Sequence, residues 1–347
     1  MFFCIKRRLA AVTFALGAAT LSAPVLADKS PVDDVEGSLS VMVLGSGGPQ
    51  IQSSGRGRAS AGYLIFADGQ PAVLMDLGSG TFKSLGMSGA HIGQVNTILL
   101  SHMHIDHVSE VPGVVKGIYF DATLQGNRHT DPIQVYGPEG RSNSGFPVFP
   151  STSEYMDALF GKDTGNFNYL RRFVGGVDGG PQIIGTFGYE GHNLSAEWQN
   201  EPDIDTIPGP VVDGEQVVIK EIAIDHFEAP AIAYRIEYKG HSVVYTGDTH
   251  STSDNIERLA QGADVLIYDT SILDNAPPSF SPFAKRHTIP MRIGQVATAA
   301  GVKTLVLSHL TPISDPNIDA IKDEIKAQGF TGKIKVAKDL RVYNLDD

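Results

Sequence analysis

The chain has 347 residues, of which 41% are hydrophobic and 19% charged, enough to bury a substantial core and ordinary for a globular enzyme. Its formal net charge of −12 sets it against polyanionic partners such as tRNA, and no basic patch stands out. The one cysteine, Cys4, lies at the extreme N-terminus, so the rest of the chain can form no disulfide and offers no thiolate to a metal.

At the start of the chain, Lys6-Arg7-Arg8 is a positive region, Leu9 to Leu21 is an apolar run rich in alanine, and Ala23-Pro-Val-Leu-Ala27 ends in small residues at a cleavage spacing. This pattern predicts a secretory signal peptide over residues 1–27 and a periplasmic or secreted mature protein. A membrane anchor is the lesser reading, because the apolar run is shorter than the ~20 residues that span a bilayer. Loss of Lys6, Arg7 and Arg8 would take the net charge to about −15. Residues 28–37 read as a flexible polar tail.

Ser38–Gly45 reads as a strand, broken by Gly45-Ser-Gly-Gly-Pro49, and without a following Lys-Ser/Thr pair this turn is not a P-loop. Arg56 and Arg58 in the next loop are candidates to meet an anionic substrate. Gly62–Ala67 and Pro71–Asp76 read as paired strands, Thr81–Gly86 as a helix and Val95–Ser101 as a buried strand. Helical spacing follows from Val108 to Tyr119, interrupted at Pro112-Gly113. Ile133–Pro138 is a further strand. From Phe146 to Phe173 the periodicity weakens, and Phe146, Phe149, Tyr155, Phe160, Phe167 and Tyr169 suit a cap over an active site, an oligomer contact or a peripheral mini-core. Gln182–Gly191 and Gln216–Ala223 resume strand-like alternation, and Ile232–Tyr238 and Ser242–Thr246 form a hairpin around Lys239-Gly240. Helices are expected over Asn255–Ala260, Pro290–Ala300 and Ile318–Gln328, with a buried strand over Val302–Ser308. Such alternation argues for an α/β protein layered around one core. Residues 38–347 are therefore expected as one domain, with 146–214 as a cap or insert region.

The chemistry concentrates where the strand ending at Ser101 runs out. His102-Met-His104-Ile-Asp106-His107 places three imidazoles and a carboxylate within six positions. Alternation puts His102 and His104 on one side and leaves Asp106 and His107 to face a second point nearby. These are the ligand types Zn²⁺ takes when no thiolate is offered. His226, Asp248 and His309 repeat the arrangement, each following an apolar, strand-like run.

His102-Met-His104-Ile-Asp106-His107 resembles the HxHxDH signature of the metallo-β-lactamase superfamily. From about Val41 to about Tyr343 the chain is similar to that superfamily's ribonuclease Z, arylsulfatase and phosphodiesterase branch. The resemblance implies a four-layer αββα sandwich. It also implies one metal on His102, His104 and His226, a second on Asp106, His107 and His309, and Asp248 shared between them. Two Zn²⁺ are the implied ions, with Mn²⁺ or Fe²⁺ open to the same ligands. Such a pair, roughly 3.5 to 4 Å apart, lowers the pKa of a bridging water and yields a hydroxide nucleophile near neutral pH. Asp76, in Asp76-Leu-Gly-Ser-Gly80, is implied as the acceptor that orients a ligand histidine. His287, in Arg286-His-Thr-Ile-Pro290, is implied as the group acting on the leaving oxygen. His287, Asp76 and Asp106 are thus the candidate catalytic residues. Asn275 to Phe283 is expected to wall the pocket, and His250 lies two residues from Asp248.

The expected function is hydrolysis of a phosphodiester or sulfate ester of a small anionic molecule by an exported dinuclear enzyme. The alternatives are a ribonuclease Z-type tRNA 3′-endonuclease, a β-lactamase or lactonase, and a non-catalytic metal-binding scaffold. Ribonuclease Z grips tRNA with a basic, Gly/Pro-rich arm, for which no counterpart is found here. Nucleic acid and membrane are therefore not expected as partners of the mature chain, and the resemblance leaves room for a homodimer.

Overall fold

A computed structural model describes residues 29–50, 57–142, 148–175, 184–275 and 281–345. The expected signal peptide, Arg56, Phe146, Pro147 and positions 276–280 of the expected pocket wall lie outside the described residues. The elements in chain order are β1 (Leu39–Gly45), β2 (Gly62–Ala67), β3 (Gln70–Leu77), α1 (Thr81–Ser88), β4 (Thr97–Leu99), α2 (Ile105–Val108), α3 (Val111–Leu124), β5 (Ile133–Pro138), α4 (Thr152–Phe160), α5 (Tyr169–Gly175), β6 (Tyr189–Leu194) and β7 (Asp205–Ile207). They continue with β8 (Val211–Val212), β9 (Glu215–Gln216), β10 (Val218–Ile224), β11 (Ala231–Tyr238), β12 (His241–Tyr245), α6 (Asn255–Leu259), β13 (Val265–Asp269), α7 (Ser281–Ala284), α8 (Pro290–Ala299), β14 (Thr304–Ser308), α9 (Ile318–Ala327), β15 (Lys333–Val336) and β16 (Val342–Asn344). Among the described residues two seven-stranded sheets form, in the orders β16-β1-β2-β3-β4-β5-β6 and β15-β14-β13-β12-β11-β10-β7.

Side-chain alternation sorts these strands into four layers. In β1, Val41 and Val43 point into the space between the sheets, while Met42 and Leu44 point outward against α1 and α3 residues such as Leu85 and Val115. In β10, Ile219 and Ala223 face the first sheet, and Ile222 and Ile224 pack outward with Ile256 of α6 and Ile293 of α8. Period-two exposure therefore gives every central strand two buried faces. The result is the αββα sandwich, helices outside and two sheets within.

Several boundaries differ from the sequence reading. β4 stops at Leu99 because the Ser101 backbone N–H is taken by the Asp76 carboxylate at 2.7 Å instead of a neighbouring strand. The helical stretch breaks at Ser109–Glu110 rather than at Pro112, which falls in the first turn of α3, where its missing N–H costs nothing. Of the strand expected over Gln182–Gly191, residues 182 and 183 lie outside the described residues, and the strand that forms runs over Tyr189–Leu194, paired with β5. α4 was not anticipated. It is started by a reciprocal cap in which Ser151 N–H donates to the Glu154 carboxylate at 2.8 Å and Glu154 N–H donates to Ser151 Oγ at 3.3 Å.

Within 146–214, Tyr155, Phe160 and Phe167 pack into the outer core of the first sheet, and β6 and β7 supply one edge strand to each sheet. Arg58, a candidate to meet an anionic substrate, is engaged within the protein. Its guanidinium holds Asp315 at 2.9 Å, Ser46 Oγ at 2.7 Å and the Ala337 carbonyl at 2.8 Å, tying its loop to the C-terminal segment. No helix among the described residues is long and apolar enough to cross a membrane.

Candidate metal centre

The ligand-type residues collect at one end of the sandwich, where strands of both sheets run out. The β4 exit contributes His102 and His104, and the first turn of α2 contributes Asp106 and His107. From the second sheet, His226 follows β10, Asp248 follows β12, Asp269 ends β13 and His309 follows β14. His287 lies just ahead of α8. Close backbone approach makes this convergence feasible: a Cβ on Gly78 would sit 1.8 Å from the Asp106 carbonyl oxygen. Gly247, with φ +60°, passes where a Cβ would meet Ser101 Cβ at 2.7 Å.

Among the described residues three groups of ligand-type atoms each lie within 4.8 Å of one another: His102, His104, His226 and Asp248; Asp106, His107, Asp248 and His309; and Asp248, Asp269, His287 and His309. Asp248 divides its oxygens between the first two. Oδ1 lies 3.4 Å from His107 Nε2 and 3.3 Å from His309 Nε2, and Oδ2 lies 3.9 Å from Nε2 of both His102 and His226. Asp106 Oδ2 stands 3.2 Å from His309 Nε2 and 3.5 Å from His107 Nε2.

The outer nitrogens fix the ring tautomers. His107 Nδ1–H donates to Asp76 Oδ2 at 2.7 Å, His226 Nδ1–H to the Arg286 carbonyl at 2.8 Å and His102 Nδ1–H to Ser101 Oγ at 3.0 Å. His309 Nδ1–H donates to Ser271 Oγ at 2.7 Å, and that hydroxyl donates onward to Asp269 Oδ1 at 2.6 Å. Each of these four rings therefore turns an Nε2 lone pair inward. His104 brings Nδ1 to 2.9 Å from His102 Nε2 and 3.2 Å from His226 Nε2, and His107 Nε2 stands 3.2 Å from His309 Nε2. Lone pairs so close repel unless a proton or a metal ion lies among them. Buried Asp248 Oδ1 has no hydrogen-bond donor among the described residues, which places an unsatisfied anionic oxygen at the same point. This donor set fits divalent metal ions.

Electrostatics point the same way. Burial pushes His102 well down and His226 down to about 3, so both rings are neutral and free to ligate. Burial also acts to lower His309, but the carboxylates of Asp248, Asp106 and Asp269 outweigh it and carry the ring up to about 10. The carboxylates demand positive charge here, and a metal ion competes with the proton for that place.

Asp76 is fully buried with φ +49° and gathers four donors: Ser101 N–H, Ser101 Oγ–H, His107 Nδ1–H and Tyr245 Oη–H. His287 Nδ1 lies 2.7 Å from Asp269 Oδ2, and its ring stacks on Phe283 with centroids 4.6 Å apart. Sequence reasoning missed Asp269 and Ser271. The apolar run Val265-Leu-Ile-Tyr268 ending in Asp269 has the same strand-then-ligand form as the other exits and was the available signal. His250 stays outside the cluster, with its backbone N–H on the Asp225 carbonyl at 2.8 Å. His91, His129, His192 and His241 lie in none of the three groups.

The Beta-lactamase superfamily domain matches residues 199–310, the span that carries His226, Asp248, Asp269, His287 and His309. Ribonuclease Z of Mycobacterium bovis (strain BCG / Pasteur 1173P2) is 28% identical over 318 residues, covering 87% of this chain and 96% of that protein. The chain is thus similar to the metallo-β-lactamase superfamily in sequence and shares its fold. Superfamily structures share its fold: human tRNase Z, short form, aligns with a TM-score of 0.59 at 21% identity over 88% of this chain and 99% of that one. The metallo-β-lactamase fold protein YhfI from Bacillus subtilis aligns with a TM-score of 0.55 at 19% identity over 88% and 98%. Together with the donor set described above, these likenesses support a metal-dependent hydrolase.

Proposed function

We propose that this chain is a dinuclear phosphodiesterase acting outside the cytoplasm. The observation that carries the reading is the pair of ligand groups sharing Asp248, with the His287–Asp269 pair at their edge. His102, His104 and His226 would hold one ion, Asp106, His107 and His309 the other. When bound, two divalent cations, Zn²⁺ by donor type, supply a water of lowered pKa and positive charge for the ester's non-bridging oxygens. The protein's own groups do the rest. Asp76 and Ser101 hold His107 and His102 in their ligating tautomers, and the buried second sheet fixes Asp248 between the groups. Asp269 accepts from His287 Nδ1–H and fixes the ring's orientation. Nε2 is then the atom from which a proton passes to the departing oxygen.

The relatives' name is that of a ribonuclease, and a ribonuclease cleaves phosphodiesters, so the likeness supports that ester and not the sulfate ester. A tRNA 3′-endonuclease of the ribonuclease Z type is the second reading, and those names favour it over a small-molecule ester. The net charge of −12 and the signal-like N-terminus oppose it, and the extracytoplasmic placement rests on that N-terminal pattern alone.

The test is turnover by the zinc-loaded chain, begun at residue 28, of bis-p-nitrophenyl phosphate, p-nitrophenyl sulfate, a cephalosporin, a lactone and a 3′-extended pre-tRNA. Phosphodiester cleavage abolished by Asp248→Ala is the expected result. Strong preference for pre-tRNA would install the second reading, and turnover of the cephalosporin or lactone alone would overturn both.

A further inference from the structure

Arg286 is attached to the metal-ligand turn at both of its ends. Its carbonyl accepts from His226 Nδ1–H at 2.8 Å, and its side chain returns to the same turn, with Nε 3.1 Å from Glu228 Oε1 and Nη2 on that same oxygen. Nη1 donates to the Pro282 carbonyl at 2.5 Å, and the guanidinium lies over the Phe227 ring, 5.0 Å from its centroid. Glu228 is 9% exposed, its Oε2 has no hydrogen-bond partner among the described residues, and its carbonyl accepts from Arg141 Nη1 at 3.4 Å. The residue after Arg286 is His287.

A partly buried ion pair is a costly way to hold two segments together, since apolar packing of similar volume is often as stabilising. What the pair adds is direction, because a guanidinium grips a carboxylate from fixed angles. Rotation of the 282–288 segment about the His226 contact would swing the His287 ring off Asp269, and the Glu228 contact opposes that rotation.

We propose that Glu228 and Arg286 are a positioning pair that sets His287 for proton delivery to the leaving oxygen. The chemical half of this inference rests on the phosphodiesterase reading. The P–O bond breaks with its electron pair going to the leaving oxygen, which takes the proton from Nε2 of protonated His287. A neutral ring remains, its Nδ1–H still on Asp269. Water supplies the OH that joins phosphorus, and its other proton passes to solvent.

The experiment compares the zinc-loaded wild type with E228Q, R286Q and the charge-keeping R286K on two diesters. Bis-p-nitrophenyl phosphate has a leaving group that departs without a proton, whereas diphenyl phosphate has one that needs it. E228Q and R286Q are expected to lose about 10–100-fold in kcat on diphenyl phosphate and less than about 3-fold on bis-p-nitrophenyl phosphate, with KM held, and R286K to fall between. Independently of any substrate, carbethoxylation of His287 by diethylpyrocarbonate, mapped by mass spectrometry, should quicken about 5-fold or more in E228Q as the ring loosens. Surface His91 serves as the unchanged control. Equal losses on both diesters, or unaltered His287 labelling, would overturn the pair's role. If the wild type cleaves neither diester, the phosphodiesterase reading fails, and the labelling still decides whether the pair positions His287.

Discussion

The first sheet delivers its ligand-type residues from a single exit, with His102, His104, Asp106 and His107 lying within six positions after β4, whereas the second sheet delivers one residue per exit. His226, Asp248, Asp269 and His309 are brought together only because β10 to β14 lie side by side in register, with β12, β13 and β14 parallel. One half of the centre is thus a local device and the other a product of tertiary structure. A substitution at any one ligand of the first exit should damage one ion site, whereas in the second sheet Asp248, which both groups share, should reach both.

Asp248→Ala breaks that comparison most severely, since its two oxygens face both groups. Activity should fall at least ~10³-fold and bound zinc from two ions per chain toward none, measured by elemental analysis. His104→Ala, which touches one group, should keep about one ion. His287→Ala is expected to cost about 10²-fold in kcat on diphenyl phosphate with zinc content unchanged, separating proton delivery from metal binding. Asp76→Asn should weaken zinc binding about 10–100-fold in chelator competition, because His107 loses the acceptor that fixes its tautomer.

The smallest effect lies in the body of the second sheet. Glu221 of β10 is buried on the face it shares with Ile219 and Ala223, and burial, reinforced by Asp205 on the neighbouring strand, pushes its carboxyl up to about 7. Its folded pKa therefore lies above the unfolded value of about 4.3, so the folded state keeps a proton that the unfolded chain has lost. Stability is full below the unfolded pKa and declines as pH rises through about 7. Glu221→Gln should raise stability by about 1–3 kcal/mol at pH ~8 and leave it unchanged at pH ~4, read from denaturant midpoints at both values.

The same division explains what the sequence made legible. Four ligand-type residues within six positions announce themselves at the β4 exit, and alternating strands and helices announce α/β layers. His226, Asp248 and His309 could each be noticed only as a polar residue ending an apolar strand. Asp269 has that same form, yet no neighbouring motif drew attention to it, and its role depends on contact with His287, 18 residues away. The early end of β4 was equally hidden, because the Asp76 side chain replaces a strand partner 25 residues distant. Arg58 looked available to an anion because nothing local reveals Asp315, 257 residues along the chain.

His309 holds its imidazole from a backbone with φ +56°, a conformation that glycine or asparagine adopts readily and that other residues enter at a cost of order 1 kcal/mol. Around it, Nε2 atoms crowd together, and a proton or a metal ion must lie among them. Directed evolution for heat resistance under metal-free conditions would therefore select against this residue early. Screens that reward melting temperature alone should return sturdier chains that no longer bind metal, unless metal is present throughout the selection.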